Sequence, residues 1–343
     1  MSPLPNGNNK INLSFEFSMM EISQVGEARR FASLLCAELN FSNTRAGRVG
    51  IVVNELGNNL VRYASAGKLV IRKSLNNAQA AIEILSLDNG PGLDTVMVMH
   101  DGFTTGTTPG TGLGAVERLA DDFDIYSKVG IGAGTVIFAS VSAKDRRDST
   151  EAAYEIGAIN VPVAGETVSG DGWAIREANH EIDILVADGL GHGPEANEAS
   201  DGAIEVFNEE PGLPLDQLLS KVHGRLKRTR GAAVFLLASK GAAVEFAGVG
   251  NIRAVIQRPG QSKTLISQNG TAGIHIKSAK VLSEPWDGNG YLILHSDGIT
   301  SHWDLANYHG IYSRHPALIA SIIYRDFARG GDDMTVVVIR RNH

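Results

Sequence analysis

Two positions in the first half of the chain carry side chains suited to phosphoryl transfer. Glu55 and Asn59 lie four residues apart in Glu55-Leu-Gly-Asn-Asn59, so a helix places both on one face. A carboxylate there can accept a hydroxyl proton, and an amide oxygen one turn later suits Mg²⁺, which prefers oxygen ligands. A solvated helix face would have the same spacing, so this pair by itself leaves both interpretations open.

Two glycine-containing segments follow. Asp88 ends an alternating segment in Asp88-Asn-Gly-Pro-Gly92, where its carboxylate can accept a hydrogen bond from an adenine amino group. The glycines let the backbone approach a base, although an ordinary turn is the alternative. Gly110-Thr-Gly-Leu-Gly114 precedes a helical pattern, and the N–H groups of a helix N-terminus can bind phosphate. No Gly-Lys-Ser/Thr follows, which excludes a P-loop.

Four aspartates of the second half lie beside glycine where strand patterns begin or end: Asp171, Asp188, Asp297 and Asp332. An isolated Asp-Gly is usually a turn, but several at strand ends can converge in space. A set of carboxylates without cysteine suits Mg²⁺ or Mn²⁺ rather than zinc. Two such ions would share a bridging water, lower its pKa and hold a phosphoryl group for in-line attack.

The first half contains alternating and helical patterns, which predict the strands and helices that would position its candidate site residues. Strands are predicted where apolar residues alternate, and helices where they recur every three to four residues. Asn76-Asn77 separates two alternating segments, which indicates a hairpin. In order, the patterns predict a strand over 11–17, helices over 22–40 and 44–65, hairpin strands KLVIRKSL and AAIEILSL, a mobile glycine-rich loop over 101–114, a helix over 115–122, and strands FDIYSKV and GTVIFASV.

The polar segment SAKDRRDSTE separates two differently patterned halves and indicates a domain boundary. We predict a flexible N-terminus over 1–10, a first domain over 11–142, a linker over 143–152 and a second domain over 153–343. The second half is rich in strands and favours an α+β fold. Its predicted strands are YEIGAINVPV, GWAIREA, EIDILVAD, AAVFLLA, VEFAGVG, IRAVIQ, YLILHSD and MTVVVIR, with helices near 194–208, 214–228 and 315–328.

Composition narrows the class of protein. Hydrophobic residues make up 43% of the 343 residues and charged residues 20%, which is ordinary for globular domains. The formal net charge of −7 argues against nucleic acid as the main partner. Cys36 is the only cysteine, and we expect it to be a buried apolar side chain. Neither a signal pattern nor an apolar membrane span is present, so we expect a cytoplasmic protein; its oligomeric state is left open.

Taken together, the motifs of about residues 10–142 resemble the GHKL ATPase and kinase superfamily. ELGNNLVRYA is similar to its N-box and DNGPG to its adenine-binding box. GTGLGAVERLADDFDIYS is similar to the RsbT-type protein serine kinases, and Gly110 stands where RsbW-type kinases carry a basic residue. The resemblance implies an α/β sandwich, a mixed sheet with helices on one face.

By this resemblance, Glu55 is the general base and Asn59 the Mg²⁺ ligand, while Asp88 holds adenine. The ATP lid would cover Gly106–Gly114, and Thr135 would close the adenine pocket through a water molecule. The residues expected to bind ATP are Asn59, Asp88, Gly90, Gly92, Gly110, Gly112, Leu113, Gly114 and Thr135.

The second half resembles the metal-dependent protein phosphatases of the SpoIIE/RsbX branch, through VADGLGHG, FAGVGN, LILHSDGI and RGGDDMTVVV over about residues 153–341. The resemblance implies an α-β-β-α sandwich holding two Mn²⁺ or Mg²⁺ ions. Asp188 would bridge both metals, and Gly189 would contribute its carbonyl. Asp297 and Asp332 would complete the second metal site, and Asp171 would hold metal-bound water. Many relatives have another acidic residue near that last position, where Gly-Trp-Ala follows here.

His192, four residues after Asp188, is a candidate acid for the leaving serine oxygen, and a structural loop histidine is the alternative. Asp333 is a weaker metal candidate, and no arginine or lysine is assigned to the phosphate. Relatives of both halves act on STAS-domain proteins, so the main hypothesis is one chain that phosphorylates and dephosphorylates such a partner. The alternatives are a phosphatase with a regulatory ATP-binding module and a non-catalytic interaction protein.

Overall fold

The computed structural model describes residues 13–64, 66–76, 79–94, 112–130, 133–144 and 153–342. The described residues from Ser14 to Lys144 form one compact unit, and those from Ala153 onward form another. Most of the predicted linker and most of the predicted ATP lid lie outside the described residues. No helix among the described residues is long and apolar enough to cross a membrane.

The first unit is a layer of helices on an antiparallel sheet with the strand order β1-β2-β3-β5-β4. Its elements are β1 (Ser14–Ser18), α1 (Ile22–Glu38), α2 (Asn43–Tyr63), β2 (Lys68–Asn76), β3 (Gln79–Leu87), α3 (Gly112–Leu119), β4 (Asp122–Ser127) and β5 (Thr135–Ser142). Ser42 caps α2 by accepting a hydrogen bond from the N–H of Arg45 over 3.3 Å. This cap sets the register of the helix that carries Glu55 and Asn59.

The apolar stripe of α2 packs against one face of this sheet. Fully buried helix residues meet apolar residues that alternate along β2, β3 and β5: Val49, Val52, Val53, Leu56, Leu60, Leu69, Ile71, Ile82, Ile84, Ala139 and Val141. Cys36 belongs to the same core, as predicted, and burial raises the pKa of its thiol to about 11. Because the stripe fixes the rotation of α2, Glu55 and Asn59 remain only partly buried at the edge of the core.

Two details of the first unit differ from the sequence-based prediction. Every described ladder in the sheet is antiparallel rather than mixed, because β5 returns from β4 and inserts between β4 and β3. The helix predicted to begin at Ala115 begins at Gly112 and ends at Leu119, so β4 follows almost at once. Glycine lowers helix propensity, and here contact with α2 outweighs that preference.

The second unit contains two antiparallel five-stranded sheets, with orders β13-β10-β9-β8-β7 and β12-β11-β14-β15-β6. Its helices are α4 (Pro194–Glu209), α5 (Leu215–Leu226) and α6 (Pro316–Phe327), with 3₁₀ turns at Leu305–Asn307 and Ile311–Ser313. Its strands are β6 (Tyr154–Val161), β7 (Asp171–Ala178), β8 (Glu181–Gly189), β9 (Ala232–Lys240), β10 (Ala243–Val249), β11 (Arg253–Arg258), β12 (Gln261–Leu265), β13 (Leu282–Pro285), β14 (Tyr291–His295) and β15 (Met334–Arg341).

The layers of this unit form the predicted α-β-β-α sandwich. One core fills the space between the sheets, and its members include Trp173, Ile184, Val186, Phe235, Ala254, Leu294 and Val337. A second core lies between α4, α5 and the outer face of the first sheet. Helix α6 covers the second sheet, and Gly157 of β6 permits its close approach because a Cβ there would lie 2.1 Å from the N atom of Ala317.

Two edge strands, β12 and β13, were not predicted from the sequence. Each lies at the end of its sheet and is largely exposed, so neither needs the apolar alternation of an inner strand. The other eight strands and all three helices of this unit were predicted.

Candidate functional sites

The first candidate site lies where α3 begins against α2. A Cβ built on Gly112 would lie 3.1 Å from Glu55 Oε2 and 3.8 Å from Asn59 Nδ2. The structure therefore brings the predicted base, the predicted Mg²⁺ ligand and the end of the glycine-rich segment together. Leu113 and Gly114 continue the first turn of α3, whereas Gly106–Gly110 lie outside the described residues.

The predicted adenine-binding turn is tied to the start of β5. Asp88 Oδ1 accepts hydrogen bonds from the N–H of Gly90 over 2.7 Å and the N–H of Thr135 over 3.3 Å. Gly92 takes φ +69°, and a Cβ there would lie 2.0 Å from the carbonyl oxygen of Lys128. Only glycine fits that backbone, so the motif encodes a specific turn as well as its carboxylate.

Thr135 lies directly beside this turn. It is buried, and its hydroxyl lies 3.0 Å from Ser127 Oγ, with either oxygen able to donate. Ser127 Oγ also accepts from the N–H of Leu93 over 2.9 Å. Ser127 ends the segment that resembles the RsbT-type kinases, but it was not identified as a site residue from the sequence. It is positioned only because β4 pairs with β5 in the register Ser127↔Thr135.

The second candidate site is a cluster of aspartates at the ends of strands from both sheets. Asp171 and Asp188 are paired across β7 and β8. Asp297 follows β14 and Asp332 precedes β15, and these strands pair in the other sheet. The N–H of Ser296 donates to Thr335 O over 3.1 Å, which holds the two segments together. The sandwich thus brings together the four predicted positions from one pair of adjacent strands in each sheet.

Mutual repulsion marks this cluster. Burial and, after it, the charges of Asp297, Asp332 and Asp333 together raise the pKa of Asp188 to about 7. Burial, followed by the charge of Asp188, also raises the pKa of Asp171 well above its usual range. Burial and then the charge of Asp332 raise the pKa of Asp297. Carboxylates held this way are stabilised by any bound cation.

The donor set fits a hard divalent cation. Asp171 is 4% exposed, and its Oδ2 has no hydrogen-bond partner among the described residues. Such a buried orphan oxygen needs a proton, a water molecule or a cation. Throughout the described part of the chain, no three His, Cys, Asp or Glu side chains already form a closed metal cage.

Asp333 has a different environment from the other aspartates. Its Oδ1 accepts from the N–H of Val163 over 2.8 Å, and its Oδ2 accepts from the N–H of Gly170 over 2.7 Å. Both oxygens therefore bind the connection between β6 and β7 to the start of β15. This geometry favours a positioning function for Asp333 over metal ligation.

The connection held by Asp333 brings a further carboxylate to the predicted acid. His192 Nδ1 lies 2.8 Å from Glu166 Oε1, and a Cβ on Gly193 would lie 2.9 Å from the same oxygen. The imidazole is more than half exposed, so it is not a buried loop histidine. Glu166 is 26 residues from its partner, and nothing in the local sequence identifies it.

No cationic residue was assigned to the second candidate site from the sequence. Arg176 lies further along β7, where its guanidinium covers the ring of Phe207 at 4.1 Å and pairs with Asp183 at 3.1 Å. Arg230 lies against the loop after Asp188, because a Cβ on Gly191 would lie 3.0 Å from its Nη1.

Comparisons with known proteins match both units. Residues 20–140 match the histidine kinase-like ATPase domain family, and residues 178–342 match the stage II sporulation protein E (SpoIIE) family. The serine/threonine-protein kinase RsbT of Bacillus subtilis (strain 168) is 34% identical over 106 residues, which are 31% of this chain and 80% of RsbT. The phosphoserine phosphatase RsbX of the same organism is 25% identical over 138 residues, which are 39% of this chain and 69% of RsbX.

Solved structures show the same similarity at the level of the fold. A structure titled "The bacterial stressosome: a modular system that has been adapted to control secondary messenger signaling" has a TM-score of 0.51 and 27% identity, and the match covers 55% of this chain and 99% of that one. A crystal structure of RsbX in complex with magnesium has a TM-score of 0.50 and 21% identity, covering 57% and 98%. The chain therefore belongs to the histidine kinase-like ATPase family through an N-terminal RsbT-like domain, which is fused to a C-terminal SpoIIE-type phosphatase domain.

Proposed function

We propose that this chain uses ATP to phosphorylate, and a two-metal centre to dephosphorylate, serine or threonine on a STAS-domain regulatory protein. The observation that carries the proposal is the convergence of Asp171, Asp188, Asp297 and Asp332 in a SpoIIE-type domain, with raised pKa values for the first three. A cluster whose charges repel one another is a destabilising feature unless it binds cations.

Asp188, the Gly189 carbonyl, Asp297 and Asp332 would hold two Mn²⁺ or Mg²⁺ ions, with Asp171 holding water beside them. When bound, such ions supply positive charge for the phosphoryl oxygens and make a water acidic enough to attack phosphorus near neutral pH. The protein's own contribution is to keep the carboxylates at the ends of strands that are paired within the two sheets.

His192 is placed to donate a proton to the leaving serine or threonine oxygen. Glu166 contacts Nδ1 and so directs Nε2, the other ring nitrogen, away from itself. Asp333 supports this arrangement at a distance, because it holds the segment between Val163 and Gly170 that carries Glu166. The exposed imidazole can reach a substrate that approaches from solvent.

The kinase half of the proposal depends on Glu55. Its carboxylate faces Gly112 at the start of α3, where N–H groups favour the phosphates of ATP. Glu55 would accept the hydroxyl proton of the substrate and Asn59 would hold Mg²⁺, while Asp88 and Thr135 would bind the adenine. The 34% identity to RsbT, whose name describes a serine/threonine-protein kinase, supports this assignment.

The alternative is a phosphatase whose N-terminal domain only binds ATP or a partner. Glu55 distinguishes the two, since binding alone needs no general base. Glu55→Gln is expected to keep ATP affinity and lose phosphoryl transfer if the domain is a kinase. If this variant regulates the phosphatase as the intact chain does, and the intact chain transfers no phosphate, the regulatory alternative is correct.

The test uses the purified full chain, a STAS-domain protein encoded nearby, Mg-ATP and Mn²⁺. Phosphate on the STAS protein is followed with the intact chain, with Asp88→Asn and with Asp188→Asn. Asparagine keeps an Oδ1 acceptor for Gly90 and Thr135, so the first variant should preserve the turn while losing the carboxylate.

Loss of labelling with Asp88→Asn and persistent labelling with Asp188→Asn would support one chain with both activities on the same phosphosite. If no variant labels the protein, but all except Asp188→Asn remove a phosphate already present, the kinase half of the proposal is wrong. Absence of both activities from the intact chain would leave an interaction protein.

A further inference from the structure

The guanidinium of Arg230 lies directly beside the loop that follows Asp188. The N–H of Leu190 donates to the carbonyl of Gly231 over 3.0 Å, which fastens this loop to the start of β9. Gly231 takes φ +83°, and Gly191 leaves only 3.0 Å between its missing Cβ and Arg230 Nη1. The backbone therefore holds Arg230 against the loop that follows Asp188.

Arg230 forms an ion pair with Glu195 in the first turn of α4. The two side chains are 50% and 67% exposed, respectively. Ion pairs this exposed are weak, because solvent screens the charges and both side chains lose freedom. A doubly charged anion with two oxygens can therefore displace Glu195 at little cost.

A substrate phosphate needs such a cation at this place. Ionised aspartates repel a phosphate dianion until metals and a basic side chain offset their charge. A guanidinium matches phosphate because two N–H groups can bind two oxygens at once. We propose that Arg230 binds the phosphoryl group of the substrate beside the loop that follows Asp188, and that the phosphate competes with Glu195 for its guanidinium. This proposal rests on the proposed phosphatase function.

Arg329 is the competing candidate. Its N–H donates to the carbonyl of Gly298 over 2.8 Å, so its backbone lies next to Asp297. A change at Arg329 would therefore disturb the segment that carries a predicted metal ligand. Arg230 instead pairs with a residue outside the cluster, whose replacement by a phosphate leaves the metal ligands undisturbed.

The test compares Arg230→Gln, Arg230→Lys and Glu195→Gln in the full chain with Mn²⁺. The substrates are p-nitrophenyl phosphate and a peptide with one phosphoserine, and the readouts are KM, kcat and the inhibition constant of inorganic phosphate. For Arg230→Gln we expect KM and the phosphate inhibition constant to rise by roughly 10- to 100-fold, as for loss of a hydrogen bond to a charged group. Arg230→Lys should be intermediate, because it retains the charge without the fork.

Glu195→Gln gives an effect of opposite sign. It releases Arg230 from its partner, so KM and the phosphate inhibition constant should fall by up to about five-fold, the change that matches loss of a weak exposed ion pair. The matched controls are Arg225→Gln and Glu205→Gln, from an ion pair of similar exposure between α4 and α5. Both controls should leave all three parameters unchanged.

Three results would overturn the inference. Arg230→Gln with unchanged phosphate parameters, a rise in KM with Arg329→Gln alone, or a rise in KM with Glu195→Gln would each exclude Arg230 as the phosphate ligand while leaving the phosphatase function intact. Failure of the intact chain to hydrolyse either substrate, and of inorganic phosphate to bind, would refute the phosphatase function and this inference together.

Discussion

Asp188→Asn is expected to abolish phosphatase activity and, in metal-free protein, to stabilise the C-terminal domain. Burial and three neighbouring carboxylates raise the pKa of Asp188 from 3.8 to about 7. Each pKa unit corresponds to about 1.4 kcal/mol, so the ionised side chain destabilises the folded domain by at most about 4 kcal/mol. Asp188 keeps some contact with solvent, so the effect should be smaller than this limit.

The sign of this effect fixes its pH dependence. Below about pH 4 the carboxyl of Asp188 is protonated in both the folded and the unfolded state, so it does not lower the free energy of unfolding. Between pH 4 and 7 the unfolded state releases the proton while the folded state retains it, so the intact domain loses stability as the pH rises through about 7. Asparagine does not titrate, so the difference in free energy of unfolding between the variant and the intact chain should grow from pH 5 to pH 8 and then stay constant.

Tryptophan fluorescence isolates the relevant domain, because Trp173, Trp286 and Trp303 are the only tryptophans of the chain. Thermal unfolding in EDTA at pH 8 should give a midpoint higher by a few degrees to about 10 °C for Asp188→Asn, at about 2–4 °C per kcal/mol for a domain of this size. At pH 5 the difference should be roughly 40% of that at pH 8, because the unfolded carboxyl already ionises above its pKa of 3.8. Saturating Mg²⁺ should stabilise the intact chain more than the variant, because binding to the folded state alone raises stability.

The matched control is Asp183→Asn, on the same strand but outside the cluster. It removes a partly exposed ion pair with Arg176, so it should lower stability by at most about 1 kcal/mol at every pH. If Asp188→Asn in EDTA at pH 8 unfolds at the same temperature as the intact chain, or at a lower one, the ionised Asp188 does not destabilise the folded domain.

Three further predictions concern other parts of the molecule. Gly92→Ala should destabilise the N-terminal domain by about 2–3 kcal/mol in calorimetry, because its φ is +69° and a Cβ would overlap backbone. The control, Gly47→Ala in α2, meets nothing within 4 Å and should be neutral or stabilising. Equal effects of the two changes would contradict this prediction. Arg72→Leu should cost about 3–5 kcal/mol because it leaves Glu83 charged and buried, and the double change of both residues to leucine should recover most of that loss in urea unfolding. Glu166→Gln should lower kcat about 10-fold for a phosphoserine peptide and little for p-nitrophenyl phosphate, whose leaving group needs no proton; equal losses on both substrates would argue against a function in proton donation.

Most of the secondary structure could be predicted because it is encoded locally. Helix α2 shows its apolar stripe within 21 residues, and apolar residues alternate along the segments that form β2 and β3. The exceptions are elements whose form depends on neighbours. Strands β12 and β13 are largely exposed, and α3 begins at a glycine packed beside Glu55. A local pattern carries no record of such contacts.

The sequence by itself determined the chemistry available to this protein. A carboxylate and an amide four residues apart, a glycine-bounded aspartate and four aspartates at strand ends were all recognisable, because residue type and short spacing define them. Their order along the chain also distinguished two domains with different metal and nucleotide requirements. The assignment of each role to each residue stays a prediction until the variants are measured.

Only the tertiary structure decided which groups meet. Glu166 reaches His192 across 26 residues, Asp333 turns both oxygens to backbone N–H groups, and Arg230 reaches the loop after Asp188 through the pairing of that loop with β9. These contacts arise from the stacking of two sheets and the connections between them. Their geometry depends on residues far apart in the chain, so no local spacing could have shown that Glu166 meets His192 or that Arg230 meets the loop after Asp188.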